Sequence, residues 1–68
     1  MVKRNSTMSG NDLRNWRKNR GMNQLELAVR LGSSINRVAL NERRRRLKIP
    51  LQLEKEIKKL EKYEMLRR

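Results

Sequence analysis

The stretch NQLELAVRLGSS, residues 23–34, decides the fold that this sequence predicts. Asn23 is a favourable residue just before the first turn of a helix, and Glu26 three positions later completes a capping box. The apolar residues that follow recur at helical spacing on one face. Gly32 ends the helix, because glycine adopts the left-handed conformation at little cost. This stretch therefore predicts a short amphipathic helix followed by a tight turn.

The residues after this turn predict a second helix and then a basic loop. Ser34 is a natural N-cap for a helix from about Ile35 to Arg43, in which Val38 is the clearest inward residue. Five positive charges lie within the six residues Arg43 to Lys48. Pro50 then supplies a helix start, because its ring already fixes φ near the helical value.

Two further helices flank this pair. The first begins with Ser9 or Asn11 as its N-cap and stops at Gly21. Its inward face presents Leu13, Trp16 and the stem of Arg17. The last helix, over residues 50–66, has an imperfect apolar seam. The seam positions are Leu53, Ile57, Leu60, Tyr63 or Glu64, and Leu66 or Arg67.

The chain is expected to form one domain, because 68 residues support one small core at most. Residues 1–10 are polar and show no apolar periodicity, so we expect a mobile basic arm that carries Lys3 and Arg4. Residues 11–68 contain no alternation typical of strands. The predicted fold is a compact all-α domain of four helices, with a fifth left open.

Composition argues against several kinds of site. The chain has no cysteine and no histidine, so the usual thiolate and imidazole metal sites are absent and we expect no cofactor. It has no glycine-rich phosphate loop, and its carboxylates are spaced for ion pairs, so we do not expect an enzyme. No apolar run approaches the roughly 20 residues that span a bilayer. We expect a cytoplasmic protein with no membrane partner.

The charge balance points to a polyanionic partner. Nineteen Lys and Arg side chains stand against seven Asp and Glu, which gives a formal net charge of +12. Residues 1–50 carry +10 of this charge and residues 51–68 only +2. Basic side chains that neutralise phosphates release condensed counterions, which favours nucleic acid, although a membrane surface is a competing polyanion. The C-terminal helix is disfavoured as the contact face.

These residues resemble the helix-turn-helix domain of the phage repressor and Cro family, also called the XRE type. The family pattern ends helix 1 in Arg-x-x-x-Gly and continues with Leu-Thr/Asn-Gln-x-x-Leu-Ala-x-x-Leu-Gly in helix 2. A Ser or Thr cap, an Ile or Val in helix 3 and a Glu after it complete the pattern. The matching residues are Arg17, Gly21, Met22, Asn23, Gln24, Leu27, Ala28, Leu31, Gly32, Ser34, Val38 and Glu42. The match covers residues 13–50 and implies a lambda-repressor-like fold.

The resemblance also implies roles for individual residues. Arg17 and Glu42 would form a partly buried ion pair between helices 1 and 3. Helix 3 would enter the major groove, where arginine can grip guanine, asparagine adenine, and apolar side chains thymine methyl groups. The expected base-contacting residues are Ile35, Asn36, Arg37, Leu40 and Arg43. The expected phosphate-contacting residues are Asn23, Gln24, Ser34, Arg44, Arg45, Arg46 and Lys48.

Five positions depart from the family pattern. Asn41 stands where the family usually has a large apolar or aromatic residue, and Ser33 where it often has Val. Arg44 stands where a left-handed glycine is common, which leaves the shape of the next loop open. Leu25 and Val29 are apolar on helix 2, where the family is usually charged. They are either a contact for a second subunit or another partner, or ordinary scattered surface residues.

The function that we expect is a sequence-specific regulator that binds double-stranded DNA. The resemblance implies a phage or mobile-element repressor or autorepressor that acts as a homodimer on an inverted repeat in a bacterial cell, with no small-molecule ligand. One alternative is a nucleic-acid-binding protein without sequence preference, for DNA or RNA. Another is a small protein-interaction module, such as a phage inhibitor of a host factor.

Overall fold

The computed structural model describes the backbone of residues 6–66 and the side chains of residues 6–64. It contains four helices, α1 (Gly10–Asn19), α2 (Gln24–Leu31), α3 (Ile35–Arg43) and α4 (Leu51–Leu66). No strand forms within these residues, and one isolated β-bridge joins Ser9 to Lys48. The prediction of an all-α domain of four helices is therefore confirmed, and the described residues contain no fifth helix.

Local capping signals set the helix starts. The hydroxyl of Ser9 accepts from the Asp12 N–H at 3.2 Å, and the Asp12 carboxylate accepts from the Ser9 N–H at 3.0 Å. Asn23 and Glu26 form the same reciprocal pair at the start of α2, with bonds of 2.8 and 3.1 Å. Each pair satisfies backbone donors that a helix start leaves without an intrahelical partner. Of the two predicted N-caps for α1, the structure uses Ser9.

Two turns follow the helices α2 and α3. Gly32 ends α2 in the left-handed conformation, with φ of 66°, as the sequence predicts. The Ser34 hydroxyl then accepts from the Arg37 N–H at 3.2 Å and so caps α3. After α3, Arg44 has φ of −84° and ψ of 69°, so the loop leaves the helix without a left-handed residue.

The core lies where the four helices meet. Every helix contributes at least one fully buried apolar side chain, and Ile49 adds another from the loop before α4. The core residues are Leu13, Met22, Leu27, Ala28, Val38, Ile49, Leu53 and Ile57. Ala28 is among them because its small side chain leaves room for a close approach of neighbouring helices. Burial of this apolar surface supplies the main driving force for folding.

The seam of α4 agrees with the prediction in its first half. Leu53 and Ile57 are buried and Leu60 packs against the core. Farther along, Tyr63 is 58% exposed, whereas Glu64 is half-buried, so the structure selects Glu64 at that seam position. The side chains of Leu66 and Arg67, the last alternatives of the seam, lie outside the described residues.

The prediction of a mobile arm over residues 1–10 is wrong for residues 6–10. Ser6 is buried, the Thr7 hydroxyl and N–H donate to a carboxylate oxygen of Glu54 at 2.6 and 3.2 Å, and the Ile49 N–H donates to the Met8 carbonyl at 2.9 Å. These partners lie more than forty residues away in the chain, so no local periodicity reveals them. Residues 1–5, which include Lys3 and Arg4, lie outside the described residues.

Gly10 brings the start of α1 into direct contact with the basic loop. Its N–H donates to the Leu47 carbonyl at 3.0 Å, and the Asn11 N–H donates to the Arg45 carbonyl at 3.1 Å. A Cβ atom on Gly10 would overlap the carbonyl oxygens of Asn41 and Arg44, the latter at 2.5 Å. The loop backbone is thus held against α1, and only glycine fits at the crossing.

We predict that Gly10→Ala destabilises the protein by about 1 to 3 kcal/mol, because overpacking against backbone atoms cannot be relieved by a side-chain rotation. The loss should appear although alanine favours a helix by about 1 kcal/mol over glycine. Urea unfolding followed by circular dichroism measures it. Gly21→Ala is the comparison variant: Gly21 has open space around its Cβ position but φ of 69°, so its loss of about 1 to 2 kcal/mol comes from backbone strain without any overlap. A Gly10→Ala protein as stable as the wild type would contradict the close contact.

A second prediction concerns acid stability. The hydrogen bonds from Thr7 hold the pKa of the Glu54 carboxyl below its ordinary value of 4.5. A carboxyl with a lowered folded-state pKa stabilises the fold above the unfolded value, and this contribution falls as the pH drops below 4.5 and through the lowered pKa. Glu54→Gln should therefore weaken the acid dependence of the unfolding free energy over this range, as measured by urea titrations at a series of pH values.

Thr7→Val is the companion variant, since it removes the donating hydroxyl but keeps the carboxyl group. It should weaken the same acid dependence in part, because the Thr7 N–H still donates to Glu54. Identical slopes for the wild type and Glu54→Gln below pH 4.5 would show that this carboxyl is not linked to folding.

Candidate nucleic-acid interface

A buried ion pair joins α1 to α3 beneath the candidate site. Arg17 donates from Nε to one Glu42 oxygen at 2.7 Å and from Nη2 to the other at 2.9 Å. The side chains are only 9% and 4% exposed. Arg17 Nη1 also donates to the Met22 carbonyl at 2.8 Å, and Gln24 Nε2 donates to Glu42 at 3.3 Å. This is the pair that the resemblance implies, and the Glu42 carboxylate raises the pKa of the Arg17 guanidinium.

The other carboxylates are also engaged within the fold. Asp12 and Glu26 belong to the helix caps, and Glu54 accepts from Thr7. The remaining three carboxylates lie on α4 and pair with arginines of α2, of α3 and of the C-terminal end of α1. These pairs are Glu56 with Arg37, Glu61 with Arg20, and Glu64 with both Arg20 and Arg30. Each of the seven acidic side chains in the sequence therefore has an intramolecular partner.

Several of the described arginines have no carboxylate partner, and three of them line one cleft. Among the described residues, none of the following pairs with an acidic group: Arg14, Arg43, Arg44, Arg45 and Arg46. Three of them, Arg14, Arg43 and Arg45, line a single open cleft together with Gln24, Ala39 and the buried Arg17–Glu42 pair. We call this the arginine cleft. A concentration of unpaired guanidinium groups is an anion-binding surface.

Arg14 is a site residue that the sequence analysis missed. It lies on α1, half-buried, three residues before Arg17 and so one turn away from the ion pair. The spacing between Arg14 and Arg17 could have indicated that Arg14 lies near the ion pair, because residues three apart on a helix are neighbours. Only the packing of α1 across α3 brings Arg14 next to Arg43 and Arg45.

The outer side of α3 continues from the arginine cleft. Asn36, Leu40 and Arg43 recur at helical spacing and are exposed, and Ile35 is exposed at the helix start. Leu40 and Ile35 are 46% and 41% exposed although both are large and apolar. We call these four residues the α3 face. Four of the five residues that were predicted to contact bases therefore lie on this surface, next to the unpaired arginines.

Arg37, the fifth residue predicted to contact bases, does not lie with the other four on the α3 face, and its contact with a base stays a prediction. Its Nη1 atom donates to Glu56 of α4 at 3.2 Å and to the Ser33 hydroxyl at 3.2 Å. The position lies on the side of α3 that turns toward α4, and the guanidinium is only about one-third exposed. The sequence pattern of α3 did not reveal the carboxylate that holds it.

Most of the residues predicted to contact phosphates are exposed. Asn23 and Ser34 are exposed at the starts of α2 and α3, and Arg44, Arg45 and Arg46 are exposed in the loop. Lys48 is exposed too, and its ammonium donates to the Thr7 carbonyl at 3.4 Å. Gln24 differs, because its amide is half-buried and donates to Glu42 at the floor of the cleft. Their contact with phosphate stays a prediction.

Comparison with known proteins returned no similarity. No protein-family model matches the chain, and no curated protein or solved structure matches it either. Within the described residues there is no group of three or more acidic side chains that could hold a metal ion. Among the described helices, none has the length and apolar character that crossing a membrane requires.

We predict that Arg17→Met and Glu42→Leu each destabilise the fold by about 3 to 5 kcal/mol, because either change leaves the other charge buried without a partner. The double variant should lose less stability than the sum of the two single losses, because it leaves neither charge buried alone. Urea unfolding of all four proteins completes the cycle. Arg37→Met is the control, since its ion pair is partly exposed and should cost at most about 1 kcal/mol. Additive losses would show that the pair is not coupled.

Proposed function

We propose that this protein is a sequence-specific regulator that binds double-stranded DNA with α3 in the major groove. The observation that carries the proposal is the division of charge. Every carboxylate has a partner within the fold, whereas three arginines without one, Arg14, Arg43 and Arg45, line the cleft beside α3. Such a surface offers phosphate contacts around a helix that is itself free to meet base edges.

The dimensions of α3 suit this role. A helix of nine residues is about 14 Å long, and the major groove, about 12 Å wide, admits one helix. Arg43 at its C-terminal end leads into the loop with Arg44, Arg45 and Arg46. Those side chains would contact the phosphate backbone that borders the groove. The buried pair beneath α3 supports the proposal further, because a recognition element must keep its orientation when it binds.

The aromatic residues favour duplex DNA over single strands. Sequence-tolerant binding of single strands uses exposed aromatic side chains on which bases stack. Trp16 donates its indole N–H to Glu61 at 2.8 Å, and Arg20 covers its ring at 4.5 Å from the centroid. Tyr63 is exposed but lies on α4, outside the arginine cleft and the α3 face. The nucleic-acid surface thus has no stacking platform among the described residues.

We propose further that two copies act together on an inverted repeat. One α3 face presents four side chains, which can read only a few base pairs. Two copies would place their α3 helices about 34 to 36 Å apart, one turn of DNA. Leu25 and Val29 on α2 are 55% and 71% exposed and could take part in the contact between copies. By resemblance to phage and mobile-element regulators, the dimer would repress by covering a promoter.

The same exposed pair supports the alternative of a protein-interaction module. Leu25 and Val29 form an apolar stripe of two residues at i and i+4 on α2. If this stripe carried the function, binding to the partner would survive loss of the α3 face. The two proposals therefore make opposite predictions for Asn36 and Arg45.

Selection from random duplex DNA, followed by titration of the selected site and a scrambled duplex at fixed salt, tests the proposal. Asn36→Ala should weaken binding to the selected site by about 1 to 3 kcal/mol and leave binding to the scrambled duplex unchanged. Arg45→Ala should weaken binding to both duplexes equally. It should also lower by roughly one the slope of log affinity against log salt concentration, because it removes one phosphate contact. Lys62→Ala, on α4 and exposed, is the control that should change neither.

A wild-type affinity ratio near one between the selected and scrambled duplexes would contradict sequence-specific binding. Analytical ultracentrifugation with the selected duplex checks the stoichiometry, for which we expect two protein chains for each site. Protection of half-sites about 10 bp apart, centre to centre, would accompany that result.

A further inference from the structure

Within the α3 face, only Arg43 has the chemistry that usually reads guanine. Ile35 and Leu40 are apolar and exposed, and Asn36 is the one amide among the four residues of the face. Arg43 lies at the C-terminal end, where it lines the arginine cleft next to Arg45. Guanine is most often recognised by an arginine that donates two hydrogen bonds to O6 and N7. The first half of α3 offers no such group apart from Arg37.

Glu56 keeps Arg37 away from that surface. The guanidinium donates to the Glu56 carboxylate and to the Ser33 hydroxyl, each at 3.2 Å. Gln52 donates to the second oxygen of Glu56 at 3.4 Å, which helps to hold the carboxylate in place. An ion pair of this exposure is weak in water. With α3 in the major groove, Glu56, whose carboxylate lies 3.2 Å from an α3 side chain, would come into the negative potential of the phosphates. Release of Arg37 would then leave this carboxylate without its cation, which favours the intact pair.

On the basis of the proposed function, we propose that the α3 face recognises A·T base pairs and that Glu56 sets this preference by withholding Arg37. Asn36 has the chemistry to accept from adenine N6 and donate to N7. Ile35 and Leu40 have the chemistry to pack against the C5 methyl group of thymine. The ligand class is therefore duplex DNA whose half-sites are rich in A·T pairs beneath α3. Glu56, on another helix, is the specificity-determining residue.

The test compares base preferences in selections from random duplex DNA for four proteins. These are the wild type, Arg37→Ala, Glu56→Ala and the double variant. The wild type and Arg37→Ala should select the same A·T-rich half-site. Glu56→Ala should gain a preference for guanine, by about fivefold or more, at one position in each half-site, because the released guanidinium can then reach a base. The double variant should lose that preference again.

The base preference separates base reading from simple charge. Removal of Glu56 makes the protein more basic, which strengthens binding to every sequence without favouring any base. In the double variant this general gain is cancelled, because one positive and one negative group are removed and the net charge returns to that of the wild type. A guanine preference that depends on Arg37 in the wild type would overturn the inference, and so would a Glu56→Ala protein that selects the same bases as the wild type.

A second measurement addresses the methyl contacts directly. Deoxyuridine in place of thymidine within the selected half-site removes only the C5 methyl group. We expect each contacted position to lose about fourfold in affinity, the value for one buried methyl group. Leu40→Ala should abolish the difference at one of these positions. Equal affinities for the thymidine and deoxyuridine duplexes would overturn the proposed apolar reading.

These outcomes are distinguishable from failure of the proposed function. If the wild type enriches no sequence over the starting pool, the regulator proposal itself fails. If it enriches half-sites rich in G·C pairs, sequence-specific binding stands and only the assignment of the α3 face is wrong. Circular dichroism of each variant confirms that the helices are retained.

Discussion

The buried Arg17–Glu42 pair is the interaction on which the rest of the structure depends. It joins α1 to α3 through two hydrogen bonds, and Arg17 reaches the Met22 carbonyl in the connection to α2 as well. A charge pair this deep is stable only while both partners and their hydrogen bonds are in place. It therefore fixes how α3 lies on α1, and with Val38 directed into the core the opposite side of α3 must face solvent.

The same constraint explains where the positive charge can collect. Glu42 is committed to Arg17 and Gln24, so it cannot neutralise the arginines that line the cleft above it. The close contact at Gly10 then holds the loop backbone against α1, which brings Arg45 near Arg14. The candidate anion site thus depends on packing in the protein interior, although Arg43 and Arg45, which line it, are exposed.

Local sequence signals predicted the helices well, because capping and apolar spacing act over a few residues. Ser34 and Gly32 marked helix ends that the structure contains, and α3 spans Ile35–Arg43 as expected. The differences arose where the partner lies far away in the chain. Residues 6–10 pack on Glu54 and the loop before α4, and Arg37 is held by Glu56. Arg14 became a site residue only through the crossing of α1 and α3.

The role of α4 extends beyond closing the core. Three of its carboxylates pair with Arg20 at the C-terminal end of α1, with Arg30 of α2 and with Arg37 of α3. Because these carboxylates belong to the same folded chain, they stay close to their arginines. A phosphate would have to displace one of these carboxylates to bind a paired arginine. It therefore binds more favourably to guanidinium groups that have no carboxylate partner on α4. The least basic segment of the sequence therefore decides which arginines are available to a polyanion. In this fold the positions of the carboxylates define the candidate nucleic-acid interface as much as the positions of the arginines do.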